Sequence, residues 1–243
     1  MTDAAYVWPT LEDLAQQFGK LLPQDEFGGT RHMITMPGRD APQPSQLIFP
    51  TDRHDFEFHT DGSYLPIGSA PSYIILYCLV PALSGGENLL LSTDKLTEWM
   101  RSHRPESYEL LRSEVPFLVD QSLAGAPATS TLLAPAFWSV GASNYARIHR
   151  WRIAQAGGDD PQLMNALSDV GNAFAALGPT VSYRLCAEEL LLLNNRRVLH
   201  ARTSYHDGDT AANTRTLLRL WISLYAVRPP NRRRRISRCT EAP

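Results

Sequence analysis

His59-Thr60-Asp61 and, far along the chain, His200 are the residues whose types and spacing could carry chemistry. On an extended strand, side chains two apart point the same way, so His59 and Asp61 present an imidazole and a carboxylate to one side. The imidazole of His200 would complete a set of two nitrogens and one carboxylate on one face of a metal ion, leaving the opposite positions open. Non-haem iron(II) oxygenases use that arrangement. Taken alone a His-x-Asp pair is a weak signal, because such pairs also serve as hydrogen bonders in turns. Here it ends an apolar strand and runs into Gly62, which places both donors at a rim where a pocket can open. The bland alternative for His200 is a satisfied core histidine. Against it stands the preceding Asn194-Asn195-Arg196-Arg197, a polar cluster that is awkward to bury without a task.

A second signal lies in the strand expected from Thr214 to Val227. With a period of two, Arg215, Leu217, Arg219, Trp221 and Ser223 share one face, while Leu218, Leu220, Ile222 and Leu224 share the other. The arginine face is either solvated, as on many one-sided antiparallel sheets, or turned into the mouth of a sandwich. In the second case a guanidinium can grip a carboxylate through two parallel hydrogen bonds.

The elements that must position these residues follow from periodicity. Leu11, Leu14, Phe18 and Leu21 predict an amphipathic helix over 10–22, packed on the outside of a sheet. Residues 55–59 and 73–80 read as strands, the latter apolar on both faces and therefore central. Asn88 to Leu91 resumes as a strand after the Gly85-Gly86 turn, and helices are expected over 93–103 and from Pro105 to about Glu114. The Ala-, Ser-, Gly- and Pro-rich stretch 121–158 is a candidate lid. Asp160-Pro161 opens a helix with the stripe Leu163, Leu167, Val170 and Phe174, closed by Gly178-Pro179. Strands return over 181–186, 189–193 and 216–227. The expected fold is mainly β: an antiparallel jelly roll, or double-stranded β-helix, flanked by α-helices on one outer face.

Composition narrows the function classes. Lys+Arg 23 against Asp+Glu 25 gives a net charge of −2, so no whole-protein field draws the chain to nucleic acid or membrane. The longest apolar run, Leu190 to Leu193, is far too short to span a bilayer. Cys78, Cys186 and Cys239 are few and widely spaced, which fits reduced thiols, and the amino terminus lacks the pattern of a secretory signal; a cytoplasmic protein is expected. Residues 1–228 read as one domain and 229–243 as an exposed tail. Six arginines between Arg228 and Arg238 could neutralise phosphates, although a solvated terminus explains them as well. No Gly-x-Ser-x-Gly elbow supports a serine hydrolase. Tyr64, Tyr145, Arg147, Arg150, Trp151 and Arg152 could line a pocket, and Trp8, Trp99, Trp138 and Trp221 read as packing residues. The partner expected is a small molecule, with oligomeric state left open.

Four segments in order resemble one family: Phe58-His59-Thr60-Asp61-Gly62-Ser63-Tyr64, Ser84-Gly85-Gly86-Glu87-Asn88, Asn194 to Arg202, and Arg215 to Trp221. Together they are similar to the taurine dioxygenase and clavaminate synthase-like family of iron(II)/2-oxoglutarate-dependent oxygenases. The resemblance implies that His59, Asp61 and His200 ligate iron, and that Arg215 holds the distal carboxylate of 2-oxoglutarate. It implies that Asn88, where relatives often carry threonine, assists through its amide, and that Arg219 meets an anionic group of the substrate, unless the two arginines exchange roles. Tyr64 and Arg147 are the further substrate-binding candidates. Ala201 replaces a glycine common after the distal histidine. Related halogenases lack the carboxylate that Asp61 supplies, so hydroxylation, desaturation or cyclisation of a small carboxylate-bearing molecule is implied, with dioxygen consumed and succinate and carbon dioxide released. A non-catalytic jelly roll binding a metal or small acid is the competing reading. Removing the Asp61 carboxylate is expected to abolish activity and spare the fold.

Overall fold

The doubly apolar segment from Tyr73 to Val80 can be satisfied only between other strands with both faces covered. In the computed structural model, which describes residues 4–25, 27–35, 53–119, 130–208, 210 and 213–224, it is the central strand of the larger sheet. Strands are numbered in chain order. That sheet holds β1 (Lys20–Leu22), β2 (His32–Thr35), β4 (Tyr73–Val80), β12 (Leu190–Asn194) and β15 (Thr216–Ser223), with β15 paired to β1, β2 and β4, and β4 paired to β12. The facing sheet runs β11 (Val181–Tyr183), β6 (Asn88–Ser92), β13 (Val198–Arg202), β3 (Phe56–His59). Three further pairs are β5 (Ser84–Gly85) with β14 (Tyr205–His206), β7 (Glu114–Leu118) with β8 (Thr131–Pro135), and β9 (Phe137–Val140) with β10 (Ser143–Ala146). All pairings are antiparallel.

The helices are α1 (Ala4–Gln16), α2 (Thr93–His103), α3 (Pro105–Arg112), α4 (Arg150–Gly157) and α5 (Pro161–Leu177). They cover both outer faces rather than one. On one side Val7, Trp8, Leu11 and Ala15 of α1 pack on Ile75, Leu218, Leu220 and Ile222. On the other, Leu96 and Met100 of α2 and Leu163, Leu167, Val170 and Phe174 of α5 pack on Phe58, Leu91 and Leu199. A third apolar cluster, including Ile34, Leu76, Leu193, Leu217 and Trp221, fills the space between the sheets. The result is a double-stranded β-helix sandwiched by helices.

Three sequence expectations shift. The first helix begins at Ala4 and ends at Gln16, because Val7 and Trp8 extend its buried stripe backwards. Gly19 then turns the chain into β1 with φ +153°, where a Cβ would stand 2.4 Å from the Ser223 carbonyl oxygen. Of the stretch 121–158, residues 121–129 lie outside the described residues. The remainder is not a lid but packed structure, since Phe137, Ala146, Ile148 and Ile153 enter the helical core. Finally β13, whose alternation is masked by two flanking arginines, is a full strand between β3 and β6. Asp160 caps α5 as expected, its Oδ1 accepting from the N–H groups of Gln162 and Leu163 at 3.0 and 3.3 Å. The arginine-rich tail lies outside the described residues, and no described helix is long and apolar enough to cross a membrane.

Candidate metal centre

Because β3 and β13 pair antiparallel with His59 directly opposite His200, the pleat sends both imidazoles to the same face. Their ring centroids are 4.2 Å apart. Asp61, two residues past His59, turns its Oδ1 back to within 3.5 Å of His59 Nε2 and 3.8 Å of His200 Nε2. One donor atom from each of the three residues lies within 4.8 Å of the other two. Gly62, at φ +62°, makes this turn possible, and a Cβ there would meet Pro71 at 2.5 Å.

Hydrogen bonds settle which atoms remain free. His59 Nδ1–H donates to the Glu57 carbonyl at 2.8 Å, which leaves the Nε2 lone pair for a cation. Asp61 Oδ2 accepts from Arg219 Nη1 at 3.0 Å and from Trp221 Nε1 at 2.9 Å, so only Oδ1 is available to a metal. His200 Nδ1 is buried with no partner among the described residues, and the ring packs against that of His59. Two imidazole nitrogens and one carboxylate oxygen, with one side open, fit a ferrous ion.

Burial pushes the Asp61 carboxyl up, but Arg219 and the two imidazoles outweigh it and hold the group well below the usual carboxylate range. Burial, with His59 and Arg219 adding to it, pushes His200 down to about 3 against the pull of Asp61. His32, opposite Arg219 on β2, is pushed down to about 4 by burial and then by Arg219. Both histidines are thus neutral in the folded metal-free protein yet protonate in the unfolded chain below its ordinary value near 6.5. Between about pH 6.5 and 4 the unfolded state binds more protons, so stability falls as pH falls. Urea unfolding of the metal-free protein is expected to lose about 1.4 kcal/mol per pH unit for each histidine over that window; a midpoint unchanged from pH 7 to pH 5 would contradict these environments.

Asn195 fixes the turn from below. Its Oδ1 accepts from the Asp61 N–H at 2.9 Å, and its Nδ2 donates to the carbonyls of Asp61 and Pro71 at 2.9 and 3.1 Å. Thr60 adds a reciprocal pair with Ile148: its N–H donates to the Ile148 carbonyl at 2.7 Å while its Oγ1 accepts from the Ile148 N–H at 3.1 Å. Asn195→Ala leaves three buried polar groups without partners. It is expected to cost about 3 kcal/mol in denaturant unfolding and to weaken metal binding, since the donor after the turn is no longer preset.

A cavity of about 450 Å³, partly open to solvent, lies in front of the three donors. Arg215, Arg202, Arg219 and Asn88 contribute its polar wall, while Ile34, Phe56, Leu76 and Leu217 contribute the apolar one. The arginine face of β15 is therefore turned inward: Arg215 is 5% exposed and Arg219 9%. The guanidinium carbons of Arg215 and Arg202 stand 5.0 and 4.7 Å from the centre of the Tyr205 ring. Asn88 Nδ2 donates to the Tyr183 carbonyl at 3.3 Å. Arg219 spans the floor, its Nε donating to Gln24 Oε1 at 2.7 Å as its Nη1 holds Asp61.

Six predicted residues thus converge: His59, Asp61, His200, Asn88, Arg215 and Arg219. Tyr64 and Arg147 do not join them. Tyr64 is buried in the cluster between the sheets with Arg152 stacked 4.1 Å from its ring, and Arg147 lines a different, smaller cavity. Gln24, Asn195, Arg202 and the hydrogen bond from Trp221 were not foreseen. Arg202 was within reach, because it stands two residues after His200 on the same strand and so shares its face. Trp221 is a packing residue that also donates to the metal-binding carboxylate.

A jelly roll with two imidazoles and a carboxylate converging between its sheets defines a facial-triad metalloprotein. The chain matches the family described as taurine catabolism dioxygenase TauD, TfdA family over residues 9–221, and it belongs to that family. It is 29% identical over 168 residues to a uridine-5'-phosphate dioxygenase of Streptomyces sp, an alignment covering 62% of this chain and 56% of that protein. Among solved structures it resembles an asparagine oxygenase in complex with Fe(II), 2S,3S-3-hydroxyasparagine and succinate, with TM-score 0.70 and 16% identity over 88% of this chain and 63% of that one. It also resembles the non-haem iron oxygenase OrfP in complex with Fe and alpha-ketoglutaric acid, with TM-score 0.62 and 17% identity over 88% and 63% of the two chains. These structures share the fold. The chain spans somewhat more than half the length of the relatives it matches.

Proposed function

We propose that this chain is an iron(II)- and 2-oxoglutarate-dependent dioxygenase that hydroxylates, desaturates or cyclises a small carboxylate-bearing substrate such as an amino acid or specialised metabolite. The observation that carries the reading is the convergence of His59 Nε2, His200 Nε2 and a single free oxygen of Asp61 at the wall of a cavity that also holds the buried Arg215 guanidinium, which forms no ion pair among the described residues. Iron(II) held there, with 2-oxoglutarate and dioxygen, supplies the oxidising power that converts a substrate C–H bond while releasing succinate and carbon dioxide.

The protein's own residues do the positioning. His59, Asp61 and His200 would hold the ion through Nε2, Oδ1 and Nε2. Arg215, with Asn88 and Arg202 beside it, receives the distal carboxylate of 2-oxoglutarate. Arg219 already spends two donors on Asp61 and Gln24, and its three remaining N–H groups suit an anionic group of the substrate. The apolar wall of Ile34, Phe56, Leu76 and Leu217 excludes water from the reacting C–H bond. Residues 1–228 constitute the oxygenase domain in this reading, and the free thiols of buried Cys78 and exposed Cys186 suit a reducing cytoplasm.

Substrate class divides along the relatives. The fold relatives carry hydroxylated asparagine or arginine, and the curated relative is named for uridine 5'-phosphate. Succinate release, measured with iron(II), ascorbate and 2-oxoglutarate across amino acids, small acids and nucleoside monophosphates, is expected to depend on iron and on one of these classes. A tight, inert metal complex that leaves 2-oxoglutarate unconsumed with every candidate would favour a binding protein instead.

A further inference from the structure

Another cavity shares only Asp61 with the iron cavity and is walled by Ser63, Trp138, Arg147, Asn195 and Arg196 among others. Its electrostatics are one-sided. Arg147 is 5% exposed, its guanidinium carbon stands 5.8 Å from the centre of the Phe117 ring, and it forms no ion pair among the described residues. No described carboxylate or carbonyl accepts from it. Burial, with the like charge of Arg196 adding to it, pushes Arg147 down to about 10. Ser63 Oγ, on a residue 2% exposed, is a buried hydroxyl with no partner among the described residues.

The remaining polar groups of the wall are committed elsewhere. Asp61 gives Oδ2 to Arg219 and Trp221 and turns Oδ1 toward the facing imidazoles. Thr60 Oγ1 accepts from Ile148, and the Asn195 amide is consumed by the Asp61 and Pro71 peptides. Among the described side chains of the wall, the two buried ones left without a hydrogen-bond partner are the Arg147 guanidinium and the Ser63 hydroxyl, which suit an anion better than a cation. Water could satisfy Ser63, whereas an anion also supplies the counter-charge that the Arg147 guanidinium lacks among the described residues. Against the 450 Å³ of the iron cavity this one is about 230 Å³, so a small anion suits it better than a bulky one.

We propose that this cavity is a binding site for one halide-sized anion, held by the Arg147 guanidinium and the Ser63 hydroxyl. Since Ser63 follows Asp61 and Gly62 directly, the bound ion braces the turn that carries the metal-binding carboxylate. The proposal does not depend on the oxygenase reading.

Thermal unfolding of the metal-free full chain, with sodium chloride replacing sodium gluconate at constant ionic strength, is expected to show a saturable rise in Tm of about 3 °C. Arg147→Met should make Tm insensitive to chloride. Arg215→Leu should keep the response, which places the ion away from the iron cavity. If Arg147→Met does not fold, Ser63→Ala should require about tenfold more chloride for the same half-saturation. Crystals soaked in bromide should give an anomalous peak within hydrogen-bond distance of Arg147. A flat response in the wild type, an unchanged response in both variants, bromide found only elsewhere, or equal saturation by sulfate would each overturn the site.

Discussion

Replacing Asp61 by alanine is expected to abolish iron binding and turnover and, in addition, to destabilise the metal-free protein by about 3 kcal/mol. The sequence alone suggested that the fold would be spared, because a carboxylate at a strand end leaves no core cavity when removed. The structure alters that expectation. Asp61 Oδ1 faces the two imidazoles, but Oδ2 is the acceptor for both Arg219 and Trp221. Without it, a guanidinium on a residue only 9% exposed keeps Gln24 as its described partner and loses its counter-charge, and a buried indole N–H loses its acceptor. Breaking a buried pair from one side costs more than the pair itself contributes, since the surviving charge stays desolvated. Denaturant unfolding of metal-free Asp61→Ala, Arg219→Leu and the double variant separates the terms: the double variant should be more stable than Asp61→Ala, because the orphaned charge is gone. Iron titration of Asp61→Ala then reports the ligand role independently. Equal stability of Asp61→Ala and wild type would mean that Arg219 does not depend on this carboxylate.

The part of this centre that could be read from residues is the part governed by short-range periodicity. His59 and Asp61 are two apart, Arg215 and Arg219 four apart on a strand, and Leu218, Leu220 and Ile222 alternate with them; each relation follows from the pleat. Whether the arginine face was wet or enclosed could not be read that way, because it depends on the second sheet, whose four strands come from four separate stretches of chain. The same reason hid Gln24, which reaches Arg219 across 195 positions, and Asn195, which reaches Asp61 across 134. Neither has a local pattern that distinguishes it from an ordinary polar loop residue. The misplaced first helix and the supposed lid share another cause. Sparse apolar residues such as Val7, Trp8, Phe137 and Ile153 carry little periodic signal, yet each is buried against a distant surface that supplies the stability.

Arg215→Leu should raise the KM for 2-oxoglutarate about 100-fold while moving the KM for the oxidised substrate little. Its guanidinium is almost fully buried, lies over Tyr205, and has no ion-pair partner among the described residues. Burial lowers its pKa, opposed by Tyr205, Cys78 and Asp207, yet it stays charged at neutral pH. A desolvated cation in a cavity wall is most useful to a ligand that brings its own carboxylate, and losing a charge-assisted, two-point hydrogen bond of that kind costs about 3 kcal/mol. The free protein should suffer little, because leucine trades the Tyr205 contacts for removal of a desolvated charge that has no ion-pair partner among the described residues, in an interior that already holds Leu76 and Leu217. That combination, a large penalty on one KM with metal-free stability little changed, separates Arg215 from Arg219. Truncating Arg219 strips Asp61 of its ion pair and so perturbs iron affinity before either organic ligand is considered. If Arg215→Leu instead raised the KM of the oxidised substrate and left that of 2-oxoglutarate unchanged, the two arginines would exchange roles, and the carboxylate-binding end of the cavity would lie beside Asp61 rather than beside Tyr205.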